Sequence, residues 1–184
     1  KLLLSIISVT SVLSLFGMGL VTLFPAWAVK ILHGDSTTNG FLQSARGVGA
    51  VLFALIIASI NKYIVRGKYL AASTVLLPLL LIIFSFTRTF LTSVLMLVII
   101  GGVIISMFNL SNGLIQTNVD EKYRGRILSF YTFSFFALFP LGSLWIGMLA
   151  EYFGTPTAII INSFILIPFG IFVWLFNHKL RNAK

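Results

Sequence analysis

The chain contains six long apolar runs, and these runs constrain its fold more than any other feature of the sequence. A helix needs about 20 mostly apolar residues to cross the hydrocarbon core of a bilayer. The runs reach or approach that length over residues 2–30, 40–60, 69–86, 91–117, 127–150 and 157–177. Their apolar residues are continuous rather than alternating, which argues against a transmembrane β-barrel. We therefore predict an all-α integral membrane protein, a single domain of six transmembrane helices.

Charged residues are too scarce for a soluble domain. They make up 9% of the chain, whose mean hydropathy is +1.05, whereas soluble domains carry about 25% charged residues. The first run exceeds the apolar core of a signal peptide, which has about 7 to 15 residues, so we interpret it as a spanning helix. The chain has no cysteine, which excludes thiolate metal sites, and we expect neither a metal nor a cofactor.

The basic residues fall mostly on one side of the predicted membrane. Six spans place both termini on the same side as the connections 61–68 and 119–126. That side carries ten lysines and arginines, the other side carries Lys30 and Arg88, and Arg46 lies within a span. Cytoplasmic segments are enriched in lysine and arginine. We predict an inner-membrane protein with both termini cytoplasmic, and the net charge of +9 then requires no nucleic-acid partner.

Arg46 is a charged residue inside the second predicted span. A charge at the helix centre costs about 2.5–3.5 kcal/mol on insertion scales, and such residues usually face a cavity or a partner. Gln43 lies three residues before Arg46, on the same helix face. The pair is a candidate for contact with an anionic substrate group or for proton coupling. Snorkelling is an equal alternative, because Arg46 lies about six residues, roughly 9 Å, from the predicted outer helix end.

Three amide side chains form a polar stripe on the fourth span. Asn109, Asn112 and Gln116 are spaced i, i+3 and i+7, so they share one helix face. Amides facing lipid would lack hydrogen-bond partners, which predicts that this face meets protein or water. We favour the lining of a transport pathway over hydrogen bonding between helices. The first span adds hydroxyl side chains, including Ser14, that suit an aqueous cavity.

Small residues and aromatic rings are better explained by packing than by substrate contact. Three pairs have the spacing that allows close helix approach: Ala45/Gly49, Gly102/Ser106 and Ser143/Gly147. The fifth span is rich in rings that we assign to lipid or core contacts rather than to a substrate pocket: Phe130, Tyr131, Phe133, Phe135, Phe136 and Phe139.

One short stretch concentrates the scarce charges. Residues 114–131 read LIQTNVDEKYRGRILSFY and hold five of the 17 charged residues of the chain. We interpret 119–126 as a cytoplasmic loop. Orientation requires only bases, so the two acids, Asp120 and Glu121, need another explanation.

Three stretches resemble a known transporter family: ARGVGAVLFALI (45–56), NGLIQTNVDEKYRGRILSFY (112–131) and PLGSLWIGMLAEYFGTPTAIIIN (140–162). Together the chain resembles the C-terminal six-helix half of a major facilitator superfamily transporter, in the branch of enterobactin exporters and macrolide-efflux-like permeases. The resemblance implies two inverted three-helix repeats. It also implies a partner, either an N-terminal six-helix half of the same transporter or a second copy of this chain.

The resemblance further implies a function and a site. The function would be secondary active export of a small lipophilic or siderophore-like molecule by alternating access, with protons as the coupling ion. No acid lies within a predicted span, so we expect a proton-carrying acid in the other half. The predicted substrate pathway consists of Ser14, Gln43, Arg46, Asn109, Asn112 and Gln116.

The family also implies a cytoplasmic gate. Its loop motif corresponds to NKYIVRGK (61–68), where Asn61 replaces the expected acid. By the resemblance, Asp120 or Glu121 pairs with Arg124 and Arg126 and closes the inner side in one state. The alternative is that these charges are solvated and only fix topology. The predicted gate consists of Lys62, Arg66, Asp120, Glu121, Arg124 and Arg126.

A second function class stays open. Six helices could form a self-associating scaffold or small channel that does not transport by alternating access. The sequence has no nucleophile elbow, phosphate-binding lysine loop or His-Glu-x-x-His motif, so we do not predict an enzyme.

Overall fold

The computed structural model describes residues 2–60 and 65–183. Within these ranges, six helices are long and apolar enough to cross a membrane, which confirms the predicted fold class. They are α1 (Leu2–Ile31), α2 (Ser36–Ile60), α3 (Arg66–Ser85), α4 (Phe90–Asn118), α5 (Glu121–Phe153) and α6 (Thr155–Phe176), and a short helix, α7 (His178–Arg181), follows them.

The predicted loop at 119–126 was wrong, because α5 already begins at Glu121. Asp120 precedes the helix as its N-cap residue. Glutamate, lysine and arginine are good helix formers, and an acid in the first turn interacts favourably with the helix dipole. The predicted connection 151–157 is also mostly helical. Only Gly154, with φ of 81°, separates α5 from α6, and glycine tolerates such a positive φ.

α2 begins four residues earlier than expected. Asp35 Oδ1 accepts a hydrogen bond of 3.0 Å from the backbone N–H of Thr38 and so caps the helix start at Ser36. Arg46 therefore lies ten residues inside α2, about 15 Å from its start. The predicted connection 61–68 falls partly on residues 61–64, so Lys62 lies outside the described residues.

The long helices pack in three main pairs: α1 with α5, α2 with α4 and α3 with α6. Exchanging the first three helices for the last three, in order, reproduces the same pairs. Successive spanning helices run in opposite directions, so α1 and α4 are antiparallel. This is the arrangement expected of two inverted three-helix repeats.

Glycines allow the closest of these contacts. A Cβ added at Gly49 on α2 would lie 1.8 Å from the carbonyl oxygen of Val98 on α4, and one added at Gly101 would lie 2.2 Å from that of Arg46. A Cβ added at Gly102 would lie 2.3 Å from the ring of Phe53 on α2, so Gly49 and Gly102 both act in packing as predicted. The pair Ser143/Gly147 does not fit that prediction within the described chain, because nothing lies within 4 Å of a Cβ added at Gly147.

α1 is irregular through its middle. An α-helical start gives way to a π-turn over Leu13–Gly17, a 3₁₀ segment over Met18–Leu23 and a second π-turn over Trp27–Ile31. The neighbouring helices hold this region through side-chain hydrogen bonds. The buried Asn162 on α6 donates from Nδ2 to the carbonyl of Phe16, a means by which membrane proteins satisfy a broken helix.

The C-terminal segment returns to the start of α3. Leu180 on α7 is completely buried, and the backbone N–H of Gly67 donates to the carbonyl of Ala183 at 3.0 Å. A Cβ added at Gly67 would lie 1.7 Å from the carbonyl oxygen of Leu180. α7 therefore seats on α3 only because residue 67 has no side chain.

Two helices are much less covered than the others. In its most apolar part, α2 is 17% buried and so is α5, whereas α1 and α4 are each 50% buried. The outer faces of α2 and α5 are available to lipid or to another bundle.

Candidate functional site

Two neighbouring cavities follow one face of α4. One has a volume of about 650 Å³ and lies between α2, α4 and the start of α3. The other has a volume of about 400 Å³ and lies between α1, α2, α4 and α5. Ile105, Phe108 and Asn112 line both, so the two cavities adjoin along α4.

The larger one, which we call the amide cavity, is lined by the three amides predicted from spacing. Asn109, Asn112 and Gln116 all lie on its wall. Gln116 donates from Nε2 to Oδ1 of Asn112 within the same helix. Among the described residues, none of the three side chains forms a hydrogen bond to another helix. The geometry thus places the stripe on a cavity, and its role in transport stays a prediction.

Arg66 brings a cation to the amide cavity. It is the first residue of α3, and its Nη1 lies 3.5 Å from the carbonyl oxygen of Gly113 on α4. We predicted Arg66 as part of the cytoplasmic gate. In the structure it lies on the wall of the same cavity as Gln116, so a predicted gate residue and a predicted pathway residue share one cavity.

The smaller one, which we call the aromatic cavity, has rings on two helices. Phe108 on α4 packs edge-on against Phe135 of α5, with ring centroids 4.3 Å apart, and against Tyr131, with centroids 6.5 Å apart. The Tyr131 hydroxyl donates to the Phe108 carbonyl at 3.4 Å. The remaining lining residues are Met18, Arg46, Ala50, Gly101, Ile104, Ile105, Asn112, Thr132 and Phe136.

Arg46 is the cation of the aromatic cavity. Its Nε is buried, and no group in the described chain accepts a hydrogen bond from it. Its stem passes Gly101, where an added Cβ would lie 2.9 Å from Cγ of Arg46. About 15 Å of helix separates Arg46 from the start of α2, farther than an arginine side chain reaches. The helix start is not the membrane surface, because the first five residues of α2 are polar (STTNG, 36–40), so snorkelling stays the alternative prediction for this residue.

Two predicted pathway residues lie elsewhere. Ser14 is completely buried, and its Oγ donates to the carbonyl of Phe135 at 2.5 Å, so it ties α1 to α5. Gln43 lines neither cavity. The serine hydroxyl that suggested water contact is satisfied by a backbone carbonyl.

The remaining gate residues occupy the first turns of α5. Asp120, Glu121 and Arg126 are exposed, and Arg124 is half-buried with an Nε that has no acceptor in the described chain. No ion pair between these acids and arginines forms in the part of the chain that the structure describes. Ion pairing that closes the inner side stays a prediction for another state.

The aromatic side chains of the site were assigned to lipid or core contacts from the sequence. Tyr131 and Phe135 are one helical turn apart, as are Thr132 and Phe136, and all four line the aromatic cavity. The i, i+4 spacing of each pair puts its two side chains on one helix face, and this was the sequence signal that could have assigned them to a common cavity. Phe133 and Phe136 are almost equally exposed, at 69% and 67%, but Phe133 lines neither cavity, as expected for lipid contact.

The comparisons with known proteins agree with this architecture. A family model described as transmembrane secretion effector, one of the major facilitator superfamily models, matches residues 2–184. The chain is 26% identical over 170 residues to a protein named staphyloferrin A transporter from Staphylococcus aureus (strain NCTC 8325 / PS 47). The match covers 90% of this chain and 41% of that relative, so the chain spans less than half the length of the relative.

Proposed function

We propose that this chain, which belongs to the transmembrane secretion effector family of the major facilitator superfamily, forms one half of a secondary exporter of small molecules. The exporter would work by alternating access and would not be an enzyme. The proposed substrates are small lipophilic or siderophore-like compounds. The similarity to a protein named staphyloferrin A transporter supports the second class.

One observation carries the proposal. The polar stripe of Asn109, Asn112 and Gln116 lines one of two adjoining cavities, and the cation Arg46 lines the other, which supports a path that includes both. Polar groups inside a membrane bundle are costly and usually line substrate pathways. The path is bounded by helices of both repeats, whose relative rocking opens a site to alternate sides in transporters of this type.

A second bundle would complete the pathway. The chain spans 41% of its relative, and the outer faces of α2 and α5 are largely uncovered. We propose that an N-terminal six-helix half covers these faces, with both ends of this chain on the cytoplasmic side of the inner membrane. The four acids of the sequence lie outside the two cavities, so a proton-carrying acid would belong to the other half.

The gate would then act at the cytoplasmic ends of α3 and α5. Arg66, the first residue of α3, lines the amide cavity. The other described gate residues lie at the start of α5: Asp120, Glu121, Arg124 and Arg126. Exposed ion pairs contribute only about 0–1 kcal/mol each. That is enough to bias two states of nearly equal free energy.

Substitution of the amides tests the pathway. We expect Asn112→Ala and Gln116→Ala, made in the protein as its own cell produces it, to lower transport without lowering expression. Asn118→Ala is the matched control, because this amide lies on the same helix but lines neither cavity. Unchanged transport in both test variants would remove the pathway assignment.

The exposed faces of α2 and α5 would equally suit self-association of a six-helix protein that does not transport. Intact-mass spectrometry on native membranes separates the two. A polypeptide close to 20.3 kDa would favour the self-associating protein, and a much larger one the two-half transporter. Cross-linking between copies across α2 and α5 is expected only in the first case.

A further inference from the structure

Building on the proposed transport function, we propose that the aromatic cavity binds an organic anion. Arg46 would hold its negatively charged group, and the rings of α4 and α5 would hold its apolar body. The inference concerns the chemical class of the ligand, which the three amides alone do not restrict.

The first support is an uncompensated charge. Arg46 lines the aromatic cavity, and no acid lines either cavity. The acids of the chain are Asp35, Asp120, Glu121 and Glu151. All four lie at or just beyond helix ends. Charges within a membrane bundle normally have a partner, and the described part of this chain supplies none for Arg46.

The second support is that the packing holds Arg46 in place. Its backbone carbonyl and its Cγ both approach Gly101 too closely for any side chain at that position. This contact lies well inside α2 and α4, far from either helix end. The packing therefore fixes the backbone and the Cγ of Arg46 at this level of the α2–α4 contact, beside the aromatic cavity.

The third support is the chemistry of the guanidinium group. Its N–H groups all donate, none of its atoms accepts, and its planar fork matches the two oxygens of a carboxylate. An arginine that has no partner in the described chain and lines a cavity therefore favours an acceptor-rich, negatively charged group such as a carboxylate.

The rings define the rest of the ligand. Phe108, Tyr131, Phe135 and Phe136 supply an apolar wall beside the cation. A volume of about 400 Å³ falls within the range of small-molecule sites, which are mostly apolar with a few polar groups that fix orientation. A small carboxylate with an aromatic or alicyclic body matches this combination.

Two matched probes test the charge requirement. Tritiated naphthaleneacetate and naphthaleneethanol share a ring system and differ in one carboxylate. Binding is measured on the protein as its cell produces it, in nanodiscs, for the wild type, Arg46→Gln and Arg46→Lys. Arg88→Gln is the control, because Arg88 bonds to the carbonyls of Ser85 and Thr87 and lines neither cavity.

We expect the wild type to bind the acetate about tenfold more tightly than the alcohol, the size of effect typical of a hydrogen bond to a charged group. Arg46→Gln should remove this preference, Arg46→Lys should retain part of it, and Arg88→Gln should leave it unchanged. Equal wild-type affinities for the two probes would overturn the proposal. That result is expected if a carboxylate of a second bundle neutralises Arg46. Equal weakening of both probes in Arg46→Gln would overturn it as well.

A second variant and a second readout keep the test independent of folding and of the transport function. If Arg46→Gln does not accumulate, Ala50→Asp places a carboxylate one helical turn from Arg46 on the wall of the same cavity; it should weaken acetate binding and spare the alcohol, and any other result overturns the proposal. Proteoliposome flux is measured with the same probes. Anion-selective binding without flux would support the proposed anion site and contradict the proposed transport function. Flux of both probes without charge selectivity would support the transport function and contradict the anion site.

Discussion

Gly49→Ala is the sharpest test of how α2 and α4 pack. The added Cβ would lie 1.8 Å from the carbonyl oxygen of Val98, and its next two neighbours are also backbone atoms of Val98. Real Cβ contacts are essentially never shorter than 3.0 Å, so the two helices must separate by about 1.2 Å, the difference between these distances. A backbone oxygen cannot rotate away as a side chain could.

The magnitude follows from comparison with Gly40→Ala on the same helix. Nothing lies within 4 Å of a Cβ added at Gly40. Both substitutions gain helix propensity, worth up to about 1 kcal/mol, and this gain largely cancels between them. What remains is the overpacking term, about 1–3 kcal/mol. We therefore expect Gly49→Ala to be less stable than Gly40→Ala by that amount.

The assay is thermal unfolding of the purified protein in detergent, followed by size-exclusion chromatography of the heated samples. Gly49→Ala should unfold several degrees below Gly40→Ala, and Gly40→Ala should match or exceed the wild type. Indistinguishable midpoints for the two variants would show that α2 and α4 do not approach as closely as described.

Three further predictions concern the helix ends and the irregular helix. Hydrogen bonds from the backbone and side chain of Thr38 lower the pKa of Asp35 below 3.8. The contribution of the Asp35 carboxylate to stability should therefore be complete at neutral pH and lost as the pH falls below 3.8. The stability difference between wild type and Asp35→Ala in thermal unfolding should vanish in acid. Asn162→Ala removes a buried hydrogen bond and should cost about 0.6–1.7 kcal/mol in thermal unfolding; unchanged stability would contradict that bond. Gly67→Val should displace Leu180 and expose the C-terminal segment to trypsin, whereas cleavage at the wild-type rate would show that the segment is not seated on α3.

The number and type of the helices were predictable because apolar length alone decides whether a segment can span a bilayer. Apolar length places the start of α2 four residues too late, because it does not detect the polar cap formed by Asp35 and Thr38; the earlier start puts Arg46 farther from the helix end. Charge density alone favours a loop at 119–126, whereas the run that Glu121 opens contains good helix formers.

The side chains of the site were harder to predict than the helices. Asn112 and Gln116 were found because their spacing defines one face. Ser14 was misplaced because a hydroxyl can bond either water or a backbone carbonyl, and only the packed structure shows which. Whether a ring of α5 faces the cavity, lipid or the core depends on how the helix is rotated about its own axis, and apolar composition does not reveal that rotation.

The irregular middle of α1 has a mechanical consequence. A regular helix resists bending because its own ladder of backbone hydrogen bonds must stretch. Here π and 3₁₀ turns interrupt the regular ladder, the Phe16 carbonyl accepts a bond from Asn162 on α6, and Ser14 bonds the same region to α5. α1 should therefore bend most easily at this one level, where the hydrogen bonds of Asn162 and Ser14 oppose the bending. A change in either should alter how readily the two ends of α1 move independently, without changing the length or the hydrophobicity of the helix.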